Sequence, residues 1–453
     1  MDFGSTFTKA SLVDTASGEL LATGSHPTTI DNDVLDGWDA IKADLDHAAG
    51  TSGGPTDIPV LACSSAGGGL RIAVVGNEEL VTAEAGRRVA LSSGGRVVHV
   101  SYDAVELGAL RASEPDVVLL VGGTDGGNAE VLLANAHALA GARWRKPVVF
   151  AGNHDATDET RAMFEARRVP HVVTDNVLPQ IGVLRPESAR AAIREMFLSH
   201  VIGGKHLSKS PGFAAMVKGA TPDIVLSAVE LVANGLGPDE PGAGDVVVVD
   251  IGGATTDVHS VVAVDPEDVG LAREVVATVP VSRTVEGDLG MRWSAVSTVE
   301  AAVAAGLHLD PGLAYAARAR LDNPSMVPST RPERAEDLAI AAAAATLAVR
   351  RHAGRQQVVF SPEGRLVERS GKDLREVDLV IGSGGVLRHT SLVDGVGVLQ
   401  AATGDHVEGG WLVPRDPRVV IDDDYVLAAV GLLAASRPRA AYSLASRLWR
   451  DSG

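Results

Sequence analysis

The chain has 453 residues, 45% of them hydrophobic and only 4% aromatic, with a formal net charge of −18 and a single cysteine. That length allows two or three domains with separate cores, and the acidity argues against a nucleic-acid or anionic-membrane partner. Cys63 alone excludes a disulfide framework or a cysteine-rich metal site within one subunit. No signal peptide is read at the start and no apolar run nears the roughly 20 residues of a transmembrane helix, so a reducing cytoplasmic location is expected by elimination.

In chain order, residues 1–25 read as strand, tight turn and returning strand. Only Met1 precedes Asp2, so the first strand is unusually short or the true start lies upstream. A helix is expected over 38–48, then a buried strand over 59–63 entering the glycine-rich stretch 64–70. Apolar β-type runs at 71–75 and 97–100 flank a helix near 79–91. From 102 to 180 the pattern is strand, helix, strand, helix, strand, with strands at 116–121, 147–151 and 169–174 and helices near 127–140 and 156–167. That alternation predicts a small parallel α/β unit, read here as an insertion. Helices near 186–201 and 222–235 follow, and 237–244 is the expected linker. The second part then repeats the opening, with strands at 246–251, 258–264 and 272–281. An alanine-rich helix covers 335–352, a strand at 377–381 runs into more glycines, and a last helix lies near 424–436. The expected organisation is a first lobe in two pieces (1–101 and 181–244) interrupted by an inserted domain (102–180). A second lobe (245–423) and a C-terminal helical segment (424–453) that packs back toward the first lobe complete it.

Two of these turns carry chemistry. In Asp2-Phe3-Gly4-Ser5-Thr6-Phe7-Thr8-Lys9, Gly4 permits close backbone approach, and Ser5, Thr6 and Thr8 offer hydroxyls. Lys9 offers a positive charge, and Asp2 is placed to hold Mg²⁺ through water. In Val246-Val247-Val248-Val249-Asp250-Ile251-Gly252-Gly253-Ala254-Thr255-Thr256-Asp257, four valines make a fully buried strand that delivers Asp250 to its mouth. Gly252, Gly253, Ala254, Thr255 and Thr256 form a cradle for a phosphate, and Asp257 is a candidate to bond the turn itself. A third turn, Ile381-Gly382-Ser383-Gly384-Gly385, suits a flat ring or ribose lying against bare backbone, with Gly382, Gly384 and Gly385 as its contacts.

This order of turns resembles the ATPase superfamily of actin, the hexokinases and the large heat-shock chaperones. The resemblance implies an α/β, two-lobed actin-like fold of duplicated ribonuclease H-like domains, with ATP and Mg²⁺ bound between the lobes. Asp2 and Asp250 would flank the metal and the hydrolytic water, and catalysis would rest on positioning and charge stabilisation. The chain further resembles the glutamate mutase accessory family, the MutL-type proteins encoded beside cobalamin-dependent mutases. The residues that carry this are Asp2–Lys9, Ala62–Leu70, Gly122–Asn128 and Thr284–Arg292, spread over nearly the whole length. The family resemblance implies an ATP-dependent reactivating chaperone that serves an adenosylcobalamin-dependent mutase subunit, and slow Mg²⁺-dependent ATP hydrolysis. Within the superfamily it also points to Glu286 as a ribose or hinge contact. Asp288 is weighed between such a contact and a helix N-cap.

Other features stay open or fall away. Gly122–Asn128 ends a parallel strand before a helix, where α/β sheets bind ligands, but a turn in a protein-docking module explains it as well. Gly152-Asn153-His154-Asp155 imitates a metallophosphatase fragment without the further ligands that chemistry needs. Three other functions compete with the chaperone: a small-molecule kinase, a filament-forming ATPase, and a radical-enzyme activator. The last would need iron–sulfur cysteines that the chain lacks.

Overall fold

The computed structural model describes residues 1–4, 6–29, 32–48, 58–66, 69–202, 207–263, 279–361, 364–405 and 407–450. They form two compact units of mixed α/β architecture. The described residues of Met1–Asp14, Leu20–Leu226 and Val275–Val279 make one, and those of Thr15–Glu19, Ser227–Glu274 and Pro280–Gly453 the other. The boundary falls inside the helix Thr221–Asn234 and not in the expected linker at 237–244. There Gly235–Gly237 and Glu240–Pro241 pair as a small hairpin, so the Gly and Pro residues make a turn.

Each unit holds a five-stranded sheet of the same topology. In the first, the order is Val217–Ala220, Ala62–Ser64, Asp2–Phe3, Phe7–Val13, Leu20–Pro27. In the second it is Arg418–Ile421, Leu379–Ser383, Val246–Ile251, Thr256–Val261, Val281–Glu286. In both, the first three strands in sequence form an antiparallel meander, and the next two add in parallel on the other side of the first. The doubled motif of the sequence is therefore a doubled sheet. The expected strand at 272–281 lies largely outside the described residues, and the third strand of the second meander is Val281–Glu286.

The central strand Val246–Ile251 is buried through its four valines, as a strand covered on both faces must be. One face packs on the helix Arg331–His352. That helix starts at a capping box in which Thr330 and Glu333 satisfy each other's backbone N–H groups.

The first unit also contains a five-stranded, wholly parallel sheet. Its order is Gly95–Ser101, Leu70–Val75, Val117–Leu120, Val148–Phe150, His171–Val173. The parallel unit expected over 102–180 thus begins upstream, because Leu70–Val75 and Gly95–Ser101 hydrogen-bond into it. The helix Glu84–Ser92 covers one face of this sheet, which shares its core with the amino-terminal sheet. The helices Leu107–Ala112, Glu130–Gly141 and Thr157–Arg167 cover the other.

At the carboxyl end, two helices, Val426–Ala434 and Pro438–Ser446, stand where one was expected. Tyr442 donates to the Pro241 carbonyl at 2.8 Å, and the second helix meets the tip of the first hairpin at Gly18. A Cβ there would lie 2.5 Å from that of Ser443. Among the described residues, no helix is long and apolar enough to cross a membrane.

Candidate functional site

The two aspartate turns share one backbone design. Gly4 N–H donates to the Phe7 carbonyl at 3.1 Å, and Gly252 N–H donates to the Thr255 carbonyl at 2.9 Å. The registers match as well: Asp2 faces Lys9 and Phe3 faces Thr8, just as Asp250 faces Asp257 and Ile251 faces Thr256. Each leading glycine is required by the closure it makes. A Cβ at Gly4 would stand 2.5 Å from the Phe7 oxygen, and one at Gly252 2.9 Å from the Thr255 oxygen.

In the second turn the direction of the amides follows from where the carbonyls go. Gly252 O accepts from Met291 N at 3.0 Å and Gly253 O from Arg292 N at 2.8 Å. Ala254 O accepts from the Ser294 hydroxyl at 2.6 Å. In a trans peptide the N–H points opposite to the carbonyl it is bonded to, and the described chain has no cis bond. The amides of Gly253, Ala254 and Thr255 therefore face away from the Gly290–Ser294 segment, three in succession. Such a run makes an anion-binding nest.

The bracing segment begins within the Thr284–Arg292 motif and runs two residues beyond it. Gly290 is needed because a Cβ would meet the Ala254 carbonyl carbon at 2.8 Å. Arg292 is held by Asp337 at 2.9 Å. Asp337 is shared with Arg320, which is 1% exposed and donates to it at 2.7 Å. The first turn has a lighter brace among the described residues: Thr28 takes the carbonyls of Gly4, through its hydroxyl at 2.8 Å, and of Thr6, through its N–H at 2.9 Å. Ser5 lies outside the described residues.

The two carboxylates sit in different surroundings. Asp2 is buried, and its Oδ1 accepts from the Thr221 hydroxyl at 2.5 Å and the Cys63 thiol at 3.5 Å. Burial first, then the Asp2 charge, pushes the Cys63 thiol well above its ordinary range. Asp250 is half-buried. It stands beside Ser383 on one strand and Asp257 on the other. Asp257 accepts from Arg283 at 2.8 Å and from Thr255 Oγ1 at 3.4 Å, which ties it to the turn as the sequence suggested.

The hydroxyls divide in two groups. Thr8 and Thr256 are fully buried, Thr8 bonded to Thr28, so Thr6 and Thr255 are the ones at the surface of the turns. Thr256 Oγ1 has no hydrogen-bond partner.

The third turn lies across the end of the second. Gly384 adopts φ 109°, and a Cβ there would be 2.2 Å from the Ile251 oxygen. Gly385 is exposed with open space before it, whereas Gly382 packs against Leu387, Leu399 and Ile421 and serves the core. The adjoining strand Arg418–Ile421 is followed by Asp422, which sequence reading passed over although an aspartate before an apolar helix is a capping signal. It accepts from Val426 N at 2.7 Å and Leu427 N at 3.2 Å, and burial pushes its carboxyl up to about 6.

Glu286 and Asp288 converge on Arg351, at 2.8 Å and 2.7 Å. Asp288 caps no helix: the next one, Ala295–Ala304, begins after Ser294. Its carboxyl is instead held below the ordinary range by Arg351. Burial raises that of Glu286. Asn153 and His154 serve the neighbouring loop, Asn153 donating to the Gly127 carbonyl at 2.9 Å and the His154 amide to Asp125 at 3.0 Å. Among the described residues no three His, Cys, Asp or Glu side chains converge on a metal position.

The comparisons with known proteins cover nearly the whole chain. A family model described as MutL protein matches residues 1–448. Protein MutL of Clostridium tetanomorphum is 38% identical over 447 residues, which span 97% of this chain and 96% of that protein.

Proposed function

This chain belongs to the MutL family, the glutamate mutase accessory proteins, and on that premise we propose that it is an ATPase that restores an adenosylcobalamin-dependent mutase. The observation that carries the nucleotide half of this reading is the run of amides at Gly253, Ala254 and Thr255, turned outward beside Asp250. The nest supplies three donors to a phosphate without any lysine, which suits an acidic protein. Gly385, at the same end of the sheet, is exposed with open space before it and offers bare backbone for the nucleoside. Glu286, anchored by Arg351, is the candidate ribose contact.

Mg²⁺ dehydrates reluctantly and is usually held by one or two carboxylates together with phosphate oxygens. Asp250 is the residue that would hold it, and the ion would supply neutralisation of phosphate charge. The protein's own part is to fix the phosphates on preorganised amides, with Asp250 directed at the water that attacks. Arg283 keeps Asp257 in place at the foot of the turn.

The test is restoration of activity. A cognate mutase inactivated in turnover is incubated with this protein, ATP, Mg²⁺ and fresh adenosylcobalamin. Recovery that requires ATP is the expected result. No recovery with the cognate mutase would sink the chaperone role while leaving the phosphate site standing.

A further inference from the structure

The strands Arg355–Ser361 and Gly364–Ser370 form a hairpin that joins none of the three five-stranded sheets. It lies in the chain between the helix Arg331–His352 and the strand Leu379–Ser383. Its base is fastened. Leu412 N–H donates to the Gly354 carbonyl at 2.9 Å, and the Arg355 guanidinium lies 4.4 Å over the Trp411 ring. Past that base, among the described residues, the two strands pair only with each other. A two-stranded ribbon is marginal in water by itself, and three or more strands are needed for independent stability.

The two strands of the ribbon differ in composition. Gly364–Ser370 carries Arg365, Glu368 and Arg369, and charges of this kind keep an edge from recruiting another strand. From Gln356 to Ser361 the other strand reads Gln-Gln-Val-Val-Phe-Ser, without charge, proline or glycine. Short segments of that composition are the ones that add strands most readily. Val358, in the middle of it, is 40% exposed.

The hydrogen bonds fix which groups are free. On the outer side of the ribbon, Gln356 N–H donates to the Gly410 carbonyl at 2.7 Å. Backbone groups of successive residues face opposite sides of an antiparallel strand. Val358 and Phe360 therefore present their N–H and C=O groups outward with Gln356, and Gln357, Val359 and Ser361 bond inward to Gly364–Ser370. The segment at Gly410 and Trp411 closes the outer edge as far as Gln356. At the other end Ser361 is followed by Pro362, which has no N–H to give. Between these two stops, the N–H and C=O groups of Val358 and Phe360 have no partner among the described residues.

The same segment of a second copy fits this window. Laid antiparallel about a twofold axis at Val359, it sets Val358 opposite Phe360 of the second copy and Phe360 opposite its Val358. Each of these pairs exchanges both hydrogen bonds, so all four outward groups are satisfied in each copy. Val359 then faces Val359, and Gln357 faces Ser361. An axis at Val358 would need the Gln356 N–H already given to Gly410, and one at Phe360 would set Val358 against Pro362. No like charges come opposite each other, so two chains of net charge −18 can meet here without bringing carboxylates together.

We propose that the Gln357–Ser361 edge is a self-association surface, through which two copies of this chain join their ribbons into one four-stranded antiparallel sheet. The contact is isologous, each copy using the same residues.

The full chain is sedimented from low micromolar to the highest soluble concentration. A species of twice the monomer mass should grow in with concentration. Val358→Pro removes an outward N–H without breaking a bond inside the ribbon, and Val358→Lys puts a charge at the free edge. Each should raise the dissociation constant on the order of tenfold or more, with a melting midpoint near that of wild type. Register is read by cross-linking. In Val359→Cys the two introduced thiols occupy a non-hydrogen-bonded pair, with Cα atoms about 4.5 Å apart, which a disulfide can bridge. The native Cys63 is buried. Mild oxidation should link Val359→Cys into a covalent dimer and leave Gln357→Cys, which faces Ser361, unlinked. The inference is overturned if the wild-type chain stays monomeric at every concentration, which would give the edge to a strand of some other protein. It is also overturned if both Val358 variants dimerise as wild type does, or if Gln357→Cys links as readily as Val359→Cys.

Discussion

The Asp2 and Asp250 turns close the same hydrogen bond and share a register, yet their side chains have been put to different uses. Asp2 is buried and tied to Thr221, and the residue across the ladder is Lys9. Asp250 stands half-buried at the mouth of its strand beside a second carboxylate that Arg283 restrains. The bracing differs too. Among the described residues Thr28 supports the first turn, whereas Gly290–Ser294 supports the second and is itself anchored through Arg292 and Asp337 to a buried Arg320. The two turns thus share a backbone closure and a register. The side chains around that closure separate a turn built into its core from one left open to a ligand.

The largest expected effect tests that division directly. Asp250→Ala should lower ATP turnover on the order of 100-fold, measured as phosphate release, with a smaller effect on the melting midpoint. Asp2→Ala should instead cost roughly 1–3 kcal/mol of stability, because the buried Thr221 hydroxyl loses its acceptor. Equal loss of stability in the two variants would break the contrast.

The residue that follows the fifth strand of each sheet extends the comparison, being Thr221 in the first unit and Asp422 in the second. Asp422 titrates at about 6 when folded, above the ordinary 3.8. The folded state therefore holds its proton more tightly than the unfolded chain does. Its contribution to stability is full below pH 3.8 and is lost as pH rises through 6, about 3 kcal/mol over that window. Denaturant melts at pH 4, 5 and 6 should show this slope in wild type and a flatter one in Asp422→Asn. An unchanged slope would remove Asp422 as its source.

The smallest effect concerns the lighter brace. Thr28→Val should cost about 1 kcal/mol for the hydrogen bonds to Gly4 and Thr8 and leave turnover at the second turn near that of wild type. A loss of turnover as large as that of Asp250→Ala would mean that the first turn carries the chemistry.

Much of this was legible in local pattern. Val246–Val249 announced a buried strand, Gly4 and Gly252 announced turns, and the helix Arg331–His352 showed its alanine-rich body. Each is set by residues adjacent in the chain, through burial and backbone sterics. The helix at 424–436 proved to be two, because Pro438 opens a second turn of helix where hydrophobicity alone read as one. Thr8, Thr256 and Gly382 looked like ligand contacts because hydroxyls and glycines in a phosphate-type turn usually are. Which face of a strand each residue occupies depends on what packs there, and here it is core.

What composition and spacing could not carry were the pairings between distant segments. Arg351 taking Glu286 and Asp288, Gly290–Ser294 turning the second cradle's amides outward, and Leu70–Val75 joining the parallel sheet all depend on contacts far apart in sequence. A residue's chemistry is local, and so motifs and strands could be read one residue at a time. Whether a carboxylate is paired, which way an amide points, and whether a strand edge is left without a partner are properties of neighbours that only folding brings together.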